Sequence, residues 1–321
     1  MSGTGAMAPR LSVDRVVLAA EAIDPVFTHS PQFECEPLGD AVGVRLALKV
    51  ETVNPIRSFK GRGADWLVSQ LASHDPVICA SAGNFGQAVA YAARRRGLEV
   101  TVYAAVRANP LKLDRMRRLG ARVVLHGDDF DAAKHEARRV AAEQGRRFIE
   151  DGLDVETLEG AGTIALEWLG AREFPDVLLI ALGNGALFNG LAGVVKAKHA
   201  GTRTIAVQAA GAPAMVDSWR AGRVIEHPEL HTIADGIGVR VPIPQALDDL
   251  RGLVDDAILV SEESIHHAMR LIHRHTGLVA EPSAAVGVAA LIEHDAVFRG
   301  QFVGTVLCGG NLTPEQMKEW L

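Results

Sequence analysis

The sequence predicts an α/β protein made of two lobes, each built on an open, twisted sheet of mostly parallel strands. Short β-branched runs alternate with alanine-rich helical patterns along most of the chain, which is typical of a parallel sheet covered by helices on both faces. The chain has 321 residues, of which 48% are hydrophobic and 22% charged, so it is long enough for two hydrophobic cores.

A helix is expected first, and one compact lobe follows it. Ser12 can cap a helix over residues 13–22, in which Val16 and Ala20 lie on one face. Pro110 and Gly120 delimit a later helix, because proline favours the first helical turn and glycine the position after the last. In chain order the lobe contains strand 77–80, helix 87–96, strand 99–104, helix 110–119, strand 121–125 and helix 129–144.

A second series of alternating elements builds the other lobe. A loop-rich stretch with Pro213, Pro228, Pro242 and Pro244 separates its earlier elements from its later ones. In chain order the series consists of helix 162–169, strand 176–182, helix 187–199, strand 204–208, helix 262–276, helix 284–294 and strand 302–308.

The composition argues against several classes of function. The net charge of −6 and the lack of a long basic run disfavour a nucleic-acid partner. The cysteines are widely spaced without a Cys-x-x-Cys motif, which indicates neither a disulfide framework nor a zinc ribbon and fits a reducing, cytoplasmic location. The first ten residues lack the apolar stretch of a signal peptide, and no apolar run is long enough to span a membrane.

One lysine has the surroundings of a nucleophile. Lys60 lies in the run 54–64 close to Arg57 and Arg62, and an amine beside other cations loses part of its affinity for a proton. A solvated helix residue is the simpler interpretation of an isolated lysine. A Ser-Ala-Gly-Asn-Phe-Gly loop at residues 81–86 follows, and together the two segments indicate a lysine that holds an aldehyde cofactor.

Two further segments follow predicted strands. Residues 182–190 form a Gly- and Asn-rich loop before a helix, where the backbone can approach an anion closely and the helix N-terminus offers free N–H groups. The loop is not a Walker motif, and Phe188 occupies the third glycine position of a dinucleotide fingerprint. Cys308 is expected to face the same crevice, although an inert buried thiol is the simpler interpretation of a lone cysteine.

Taken in order, these segments resemble one family, the pyridoxal-phosphate enzymes of fold type II, and most closely the serine/threonine dehydratases. The runs that carry the resemblance are Phe59-Lys-Gly-Arg-Gly-Ala64, Ser81-Ala-Gly-Asn-Phe-Gly86, Gly183-Asn-Gly-Ala186 and Cys308-Gly-Gly-Asn311. Residues 150–153, 233–236 and 281–287 also look like dehydratase segments, so the resemblance covers nearly the whole chain.

The resemblance implies an architecture. The fold would be the tryptophan synthase β-like fold, with pyridoxal 5'-phosphate held between two α/β lobes. Residues 1–74 and 153–321 would form the large cofactor-binding domain, and residues 75–152 the small domain. The resemblance also suggests a homodimer.

Roles follow for the residues that match the family's motifs. Lys60 would carry the cofactor and remove the substrate's α-proton, with Phe59 packed on one face of the pyridine ring. Asn84 would bond the ring hydroxyl, and Cys308 would face the ring nitrogen. The phosphate would be held by backbone N–H groups of Gly183, Asn184, Gly185, Ala186 and Leu187, and the substrate carboxylate by Ser81, Ala82, Gly83 and Asn84.

Departures from the family's pattern narrow the prediction. Ala82 stands where serine racemases carry a second serine as the acid/base of the opposite face, which disfavours racemisation. Phe85 replaces a common histidine and leaves the substrate side chain open. Gln208 and Ala214 stand where relatives of eukaryotic type contribute carboxylates to a divalent-cation site, so no metal is expected there. The thiol of Cys308 need not protonate the ring nitrogen as a carboxylate would, which favours prompt elimination.

The predicted function is a pyridoxal-phosphate-dependent ammonia-lyase that converts a β-hydroxy amino acid, such as serine or threonine, into a 2-keto acid and ammonia. A β-replacing synthase of the cysteine or threonine synthase type is the nearest alternative. Those enzymes usually have Lys-Asp-Arg where this chain has Lys60-Gly-Arg62. A non-catalytic binding protein that keeps the fold is a third alternative. The expected partner is a small amino acid, with neither nucleic acid nor membrane.

Other charged residues have simpler interpretations. Histidines cluster in the predicted helix 262–276 but lack metal-ligand spacing. Arg57 and Arg240 could bind a substrate side-chain carboxylate, as a hydroxyaspartate would need, yet a surface role is simpler for both. By resemblance Glu281 could approach the ring edge, although a charge at a helix N-terminus is the simpler account.

Overall fold

Two separate sheets organise the computed structural model, which describes residues 10–72 and 75–321. The strands are β1 (Gln32–Glu34), β2 (Arg45–Val50), β3 (Val77–Ala80), β4 (Val100–Ala104), β5 (Arg122–Leu125), β6 (Arg147–Ile149), β7 (Val177–Ala181), β8 (Arg203–Ala209), β9 (Asp256–Val260) and β10 (Phe302–Leu307). The helices are α1 (Val13–Ala22), α2 (Glu36–Val42), α3 (Lys60–Ser69), α4 (Asn84–Arg95), α5 (Pro110–Arg118), α6 (Phe130–Glu143), α7 (Val155–Leu169), α8 (Ala186–Lys198), α9 (Ala214–Ala221), α10 (Pro244–Asp249), α11 (Glu262–Thr276), α12 (Pro282–Glu293), α13 (Asp295–Phe298) and α14 (Pro314–Trp320). A short 3-10 helix covers Asp235–Ile237.

Both sheets are parallel apart from one edge. The larger has the strand order β1-β2-β10-β7-β8-β9, in which only the β1–β2 pair is antiparallel. The smaller has the order β5-β4-β3-β6 and is parallel throughout. Every residue of the central strand β7 is buried, as expected where helices cover both faces of a sheet. The predicted α/β class is therefore confirmed.

Most predicted elements lie close to where the sequence indicates them, but two helices begin several residues earlier. Helix α4 begins at Asn84 rather than at residue 87, and α7 begins at Val155 rather than at residue 162. Glycine at positions 160 and 162 weakened the helical pattern of α7 in the sequence. Gly160 is nevertheless needed, because a Cβ there would stand 2.4 Å from the Cα of Gly63 in α3.

The helix that begins with Lys60 lies between the two sheets. Helix α3 packs against α4, which covers the smaller sheet, and on another side against α7. Its Arg62 is fully buried and forms ion pairs with Glu51 and Glu167, at 2.8 Å and 2.6 Å. Trp66 Nε1 donates to Glu159 Oε2 at 2.7 Å. Buried charges that are paired and hydrogen-bonded in this way fix the helix in one orientation.

The smaller sheet and helices α4, α5 and α6 fall within residues 77–149, which are called the smaller half. The other described residues are called the larger half, and the larger sheet takes its strands from both sides of the segment 77–149. The domain limits at 74/75 and 152/153 stay a prediction. Across residues 10–72 and 75–321, no helix is both long enough and apolar enough to cross a bilayer.

Candidate active site

Loops from both sheets meet at the carboxyl ends of their strands. Residues 81–86 follow β3 and residues 150–153 follow β6 of the smaller sheet, while residues 183–187 follow β7 and Cys308 follows β10 of the larger. In parallel α/β sheets this edge is where ligands bind. Contacts between residues of the two sheets' loops join them across the space between the sheets.

The lysine loop is fastened to the end of β10 by its backbone. The N–H of Phe59 donates to the carbonyl oxygen of Cys308 at 3.0 Å, and Ser58 Oγ donates to the same oxygen at 3.2 Å. Phe59 is buried, and its ring centroid lies 4.5 Å from Lys60 Nζ. Lys60 therefore extends from a fixed backbone beside Cys308 with an aromatic ring next to its amine.

A carboxylate faces the amine of Lys60. Lys60 Nζ donates to Asp151 Oδ2 at 2.6 Å, and the two side chains are only 15% and 17% exposed. The other carboxylate oxygen of Asp151, Oδ1, is buried and has no hydrogen-bond partner among the described residues. Charged groups in such a half-buried position need a partner, so the pair holds the amine in place.

Glycine at 152 brings this carboxylate loop against the loop after β7. Gly152 has φ +81°, and a Cβ on it would stand 2.2 Å from the carbonyl oxygen of Asn184. Its N–H donates to Thr157 Oγ1 at 3.1 Å. Only glycine fits both this backbone conformation and this contact.

The loop after β7 offers donors without acceptors. Gly185 has φ +90° and precedes α8. In the described part of the chain, no backbone N–H from Gly183 to Leu187 donates to a protein acceptor. Several free N–H groups at a helix N-terminus form a binding site for an anion such as a phosphate.

The loop after β3 offers a second set of donors. Ser81 Oγ accepts the N–H groups of Gly83 and Gly86, at 3.2 Å and 3.0 Å, which shapes the start of α4. Within residues 10–72 and 75–321, the N–H groups of Ala82 and Asn84 find no protein acceptor. Phe85 is 6% exposed and belongs to the hydrophobic core around α4, so its ring does not open a polar pocket.

A buried carboxylate links the two sides of the cleft. Glu281 Oε1 accepts Asn84 Nδ2 at 2.7 Å, and Glu281 Oε2 accepts the N–H of Asn311 at 3.1 Å. Burial, followed by the negative charge of Asp235, raises the pKa of Glu281 to about 7. A Cβ on Gly309 would stand 2.2 Å from Glu281 Oε1. Glu281 does lie at the N-terminus of α12, as the simpler account had it, and its buried carboxylate is also hydrogen-bonded to the residues of the site.

The thiol of Cys308 is buried beside a hydroxyl that has no partner. Cys308 Sγ lies 3.7 Å from the carbonyl oxygen of Ser283, and burial raises the pKa of Cys308 far above its ordinary value. The thiol is therefore protonated and can donate or weakly accept one hydrogen bond. Ser283 Oγ is buried without a partner among described residues, and it would lie 2.7 Å from a Cβ on Gly236.

The structure brings together Lys60, Phe59, Asn84 and Cys308 with both predicted anion loops. Sequence reasoning missed the contact of Asp151 with Lys60, the Asn84–Asn311 hydrogen bond of 2.8 Å and the hydroxyl of Ser283. The positions were within segments that resemble the family, but no sequence pattern tells which side chain points into the cleft. Across residues 10–72 and 75–321, no group of three His, Cys, Asp or Glu side chains could hold a metal ion.

The chain is similar to known proteins in both sequence and fold. A model of the family described as "Pyridoxal-phosphate dependent enzyme" matches residues 23–309. An L-threonine ammonia-lyase of Geobacter sulfurreducens is 36% identical over 289 residues, which cover 88% of this chain and 70% of the relative. The solved threonine deaminase isoform 2 of Solanum lycopersicum is 27% identical with a TM-score of 0.86, covering 99% of this chain and 97% of that one. Maize serine racemase is 27% identical with a TM-score of 0.90, covering 96% of both chains.

Proposed function

The chain belongs to the family of pyridoxal-phosphate-dependent enzymes, and we propose that it removes water from a β-hydroxy amino acid to release ammonia and a 2-keto acid. The observation that carries this proposal is the position of Lys60. Its amine bonds Asp151, which precedes the glycine that packs against the loop after β7, and it lies close enough to the buried thiol of Cys308 to act on it.

The residues present fit pyridoxal 5'-phosphate. The free N–H groups of residues 183–187 suit its phosphate, and the glycines at 152 and 183 keep that loop close to its neighbours, since a Cβ on Gly183 would stand 3.1 Å from the Cα of Ile237. Cys308 and Ser283 offer S–H and O–H groups without a strong partner for the ring. Phe59 and Asn84 are the proposed neighbours of the ring face and the ring hydroxyl. Asn84 would then share its amide with Glu281 and Asn311.

Bound at this site, pyridoxal 5'-phosphate supplies an aldehyde for the substrate's amino group and an electron sink for its α-carbon. The residues of this chain do the rest. Lys60 Nζ takes the α-proton, and Asp151, at 2.6 Å, orients the amine and stabilises the ammonium that results. The free N–H groups of residues 82 and 84 and the hydroxyl of Ser81 hold the substrate carboxylate.

The side chains of the loop after β3, residues 81–86, suit elimination and not racemisation. A racemase must return a proton to the α-carbon from the face opposite its lysine, whereas Ala82 carries no group that can exchange a proton. In the net reaction one water leaves the β-carbon and one water hydrolyses the released imine. Serine thus gives pyruvate and ammonia, with no oxidant and no second substrate.

Two measurements test the proposed function. Purified protein is expected to show an absorbance band near the visible edge, and Lys60→Ala should abolish that band, while Lys198→Ala, an exposed lysine on α8, should keep it. A coupled keto-acid assay over serine, threonine, hydroxyaspartate and phenylserine should give product, and Lys60→Ala should lower kcat roughly 10²- to 10⁴-fold. Product that forms only when a second nucleophile is added would favour a β-replacing synthase instead. Bound cofactor without turnover of any substrate would favour a binding protein.

We further propose a cytoplasmic homodimer, with residues 75–152 as the small domain and the remainder as the large one. The resemblance of the chain to the family and the confinement of the smaller sheet to residues 77–149 support these assignments. Light scattering on the eluted protein measures the mass: twice 34.2 kDa is expected, and a single 34.2 kDa species would contradict the dimer.

A further inference from the structure

An arginine beside the catalytic lysine adopts a conformation that favours glycine. Arg57 has φ +53°, one of two non-glycine residues in the described chain with a positive φ, the other being His29. A side chain in the left-handed region costs free energy, and such residues persist where the surroundings enforce them, often at functional sites. The N–H of Gly310 donates to the carbonyl oxygen of Arg57 at 3.0 Å, which enforces the conformation here.

The guanidinium of Arg57 lacks a counter-ion. Its side chain is half-buried, and among residues 10–72 and 75–321 it forms neither an ion pair nor a hydrogen bond. Burial and the positive charge of Arg115 lower the pKa of Arg57, so a second cation is near enough to act on it. Arg115 is also half-buried and, in the same part of the chain, has no carboxylate within ion-pair distance.

Both arginines belong to segments that adjoin Asn311: Arg115 bonds its side chain, and the backbone of Arg57 bonds the preceding residue, Gly310. Arg115 Nη1, on helix α5 of the smaller half, donates to Asn311 Oδ1 at 2.7 Å. Asn311 Nδ2 donates to the carbonyl oxygen of Ile56, at 2.8 Å, and to Asn84 Oδ1, also at 2.8 Å. The cation pair therefore lies next to the loop proposed to bind the substrate's α-carboxylate.

The neighbouring carboxylates already have partners. Asp151 pairs with Lys60, and Asp235 pairs with Lys112 at 2.5 Å. Glu281 attracts Arg57, but its two oxygens accept hydrogen bonds from Asn84 and Asn311. Among residues 10–72 and 75–321, neither guanidinium therefore forms an ion pair, and two nearby arginines without ion-pair partners can bind a carboxylate through their N–H donors.

We propose that Arg57 and Arg115 bind a second carboxylate of the substrate, on its β-carbon, so that the preferred substrate is an anionic β-hydroxy amino acid of the 3-hydroxyaspartate type. This inference rests on the proposed function. It assigns Arg57 as the residue that determines substrate class, in place of the surface role that the sequence favours for it.

The chemistry of the proposed reaction balances without a further reactant. Lys60 takes the α-proton, the bond from the β-carbon to its hydroxyl breaks, and the hydroxyl leaves as water. The released imine takes up one water and loses ammonia, so 3-hydroxyaspartate gives oxaloacetate and ammonia. The β-carboxylate stays on the product throughout, and its contact with the arginines serves binding alone.

Comparison of 3-hydroxyaspartate with serine as substrates of the holoenzyme tests the assignment. Arg57→Ala removes the guanidinium, and Arg57→Gly removes both the guanidinium and the backbone strain, so at least one folded variant is expected. In both, kcat/KM for 3-hydroxyaspartate should fall roughly 10- to 100-fold, the effect of losing one charge-assisted bidentate contact. For serine it should change less than about threefold. Arg117→Ala, an exposed arginine on the same helix as Arg115, is the control and should leave both values unchanged.

Calorimetry gives a second readout that needs no turnover. Holoenzyme is titrated with succinate, which has two carboxylates, and with butyrate, which has the same carbon chain and one. Succinate should bind more tightly than butyrate, and Arg57→Ala should remove most of the difference. Equal binding of the two acids would overturn the assignment.

The outcomes separate this inference from the proposed function. The proposed anionic substrate class is wrong if kcat/KM is higher for serine or threonine than for 3-hydroxyaspartate. It is also wrong if Arg57→Ala lowers kcat/KM for serine and for 3-hydroxyaspartate equally. In both cases the proposed dehydration stands. If no β-hydroxy amino acid is converted despite bound cofactor, the proposed function fails, and the succinate titration alone decides whether Arg57 binds a carboxylate.

Discussion

At the scale of single residues, Glu281 makes the protein sensitive to pH. Its pKa is raised from an ordinary 4.5 to about 7, mainly because the carboxyl is buried. Between these two values the unfolded chain has lost the proton and the folded chain keeps it. The free energy of unfolding contributed by this group is therefore complete below about pH 4.5 and is lost as the pH rises through 7.

We expect Glu281→Gln to remove this dependence. Relative to the wild type, the variant should gain stability between pH 5 and pH 8, by up to about 3 kcal/mol, because a shift of one pKa unit is worth roughly 1.4 kcal/mol. Urea unfolding at a series of pH values measures the change. Parallel curves for the two proteins would show that Glu281 ionises as readily in the folded state as in the unfolded one.

The contribution of Asp151 to the free energy of unfolding is expected to depend on whether cofactor is bound. In cofactor-free protein, Asp151→Asn should lower the free energy of unfolding by about 1–2 kcal/mol, because the charged amine at 2.6 Å loses its carboxylate. In holoenzyme the loss should be smaller if, as proposed, Lys60 is the residue that carries the cofactor. Unfolding of both forms gives the comparison, and the effect should vanish in a Lys60→Ala background. The same loss in both forms would contradict this interpretation.

At the scale of elements, the loops depend on glycine in two different ways. Gly152 and Gly145 both have positive φ, but only Gly152 has a neighbour, the carbonyl oxygen of Asn184 at 2.2 Å from its would-be Cβ. Gly145→Ala should therefore cost about 1 kcal/mol through strain alone. Gly152→Ala should also displace the loop at 183–187 and weaken cofactor binding at least about tenfold.

Titration of cofactor-free protein with pyridoxal 5'-phosphate, followed by absorbance, checks the Gly152 prediction. Gly145→Ala serves as the matched control, with unchanged cofactor affinity and the same backbone strain. Unchanged affinity in Gly152→Ala would mean that the loop at 183–187 does not need the contact with residue 152.

The elements also show what a sequence reveals. Strands β3 and β7, and the helices that follow them, could be recognised because glycine, proline and apolar periodicity mark such elements locally. The start of α7 could not, since Gly160 in a helix has a tertiary reason, the close backbone of Gly63. Strand β2 was missed because it carries Lys49, a buried cation whose partner Glu167 lies far away in the sequence.

At the scale of the whole molecule, ion pairs join the two halves across the cleft. Arg240, from the larger half, pairs with Asp129 and Asp131 at the start of α6, and Lys112 on α5 pairs with Asp235. Unlike Arg57, Arg240 therefore has ion-pair partners. It lies partly exposed, as a surface role implies, and links the two halves. Such partly exposed pairs contribute about 0.2–1 kcal/mol each and weaken as salt is added.

Arg240→Ala is therefore expected to raise KM about two- to fivefold with little change in kcat, because the halves are less firmly held together around the substrate. Raising the ionic strength should move the wild type toward the variant. Arg299→Ala, which removes an exposed pair with Asp295 within the larger half, is the control. A fall in kcat with unchanged KM would place Arg240 in the chemistry of the reaction.

The residues predicted to form the candidate site lie in short contiguous motifs, so the sequence alone was enough to propose them, and their roles toward the cofactor stay a prediction. The charged neighbours of these residues could not be predicted from the sequence. Whether Arg57 has a counter-ion, or whether Asp151 faces Lys60, depends on which loops of the two sheets come together, and that information is spread over the whole chain.

The carbonyl oxygen of Cys308 accepts hydrogen bonds from both Ser58 and Phe59. These bonds involve the backbone of residue 308 and leave its side chain out. The position of Lys60 is thereby independent of the side chain at position 308, which is the group proposed to face the ring nitrogen. A single Cys-to-Ser substitution at position 308 would therefore change the group offered to the ring nitrogen. The backbone bonds that position the loop of Lys60 would stay intact.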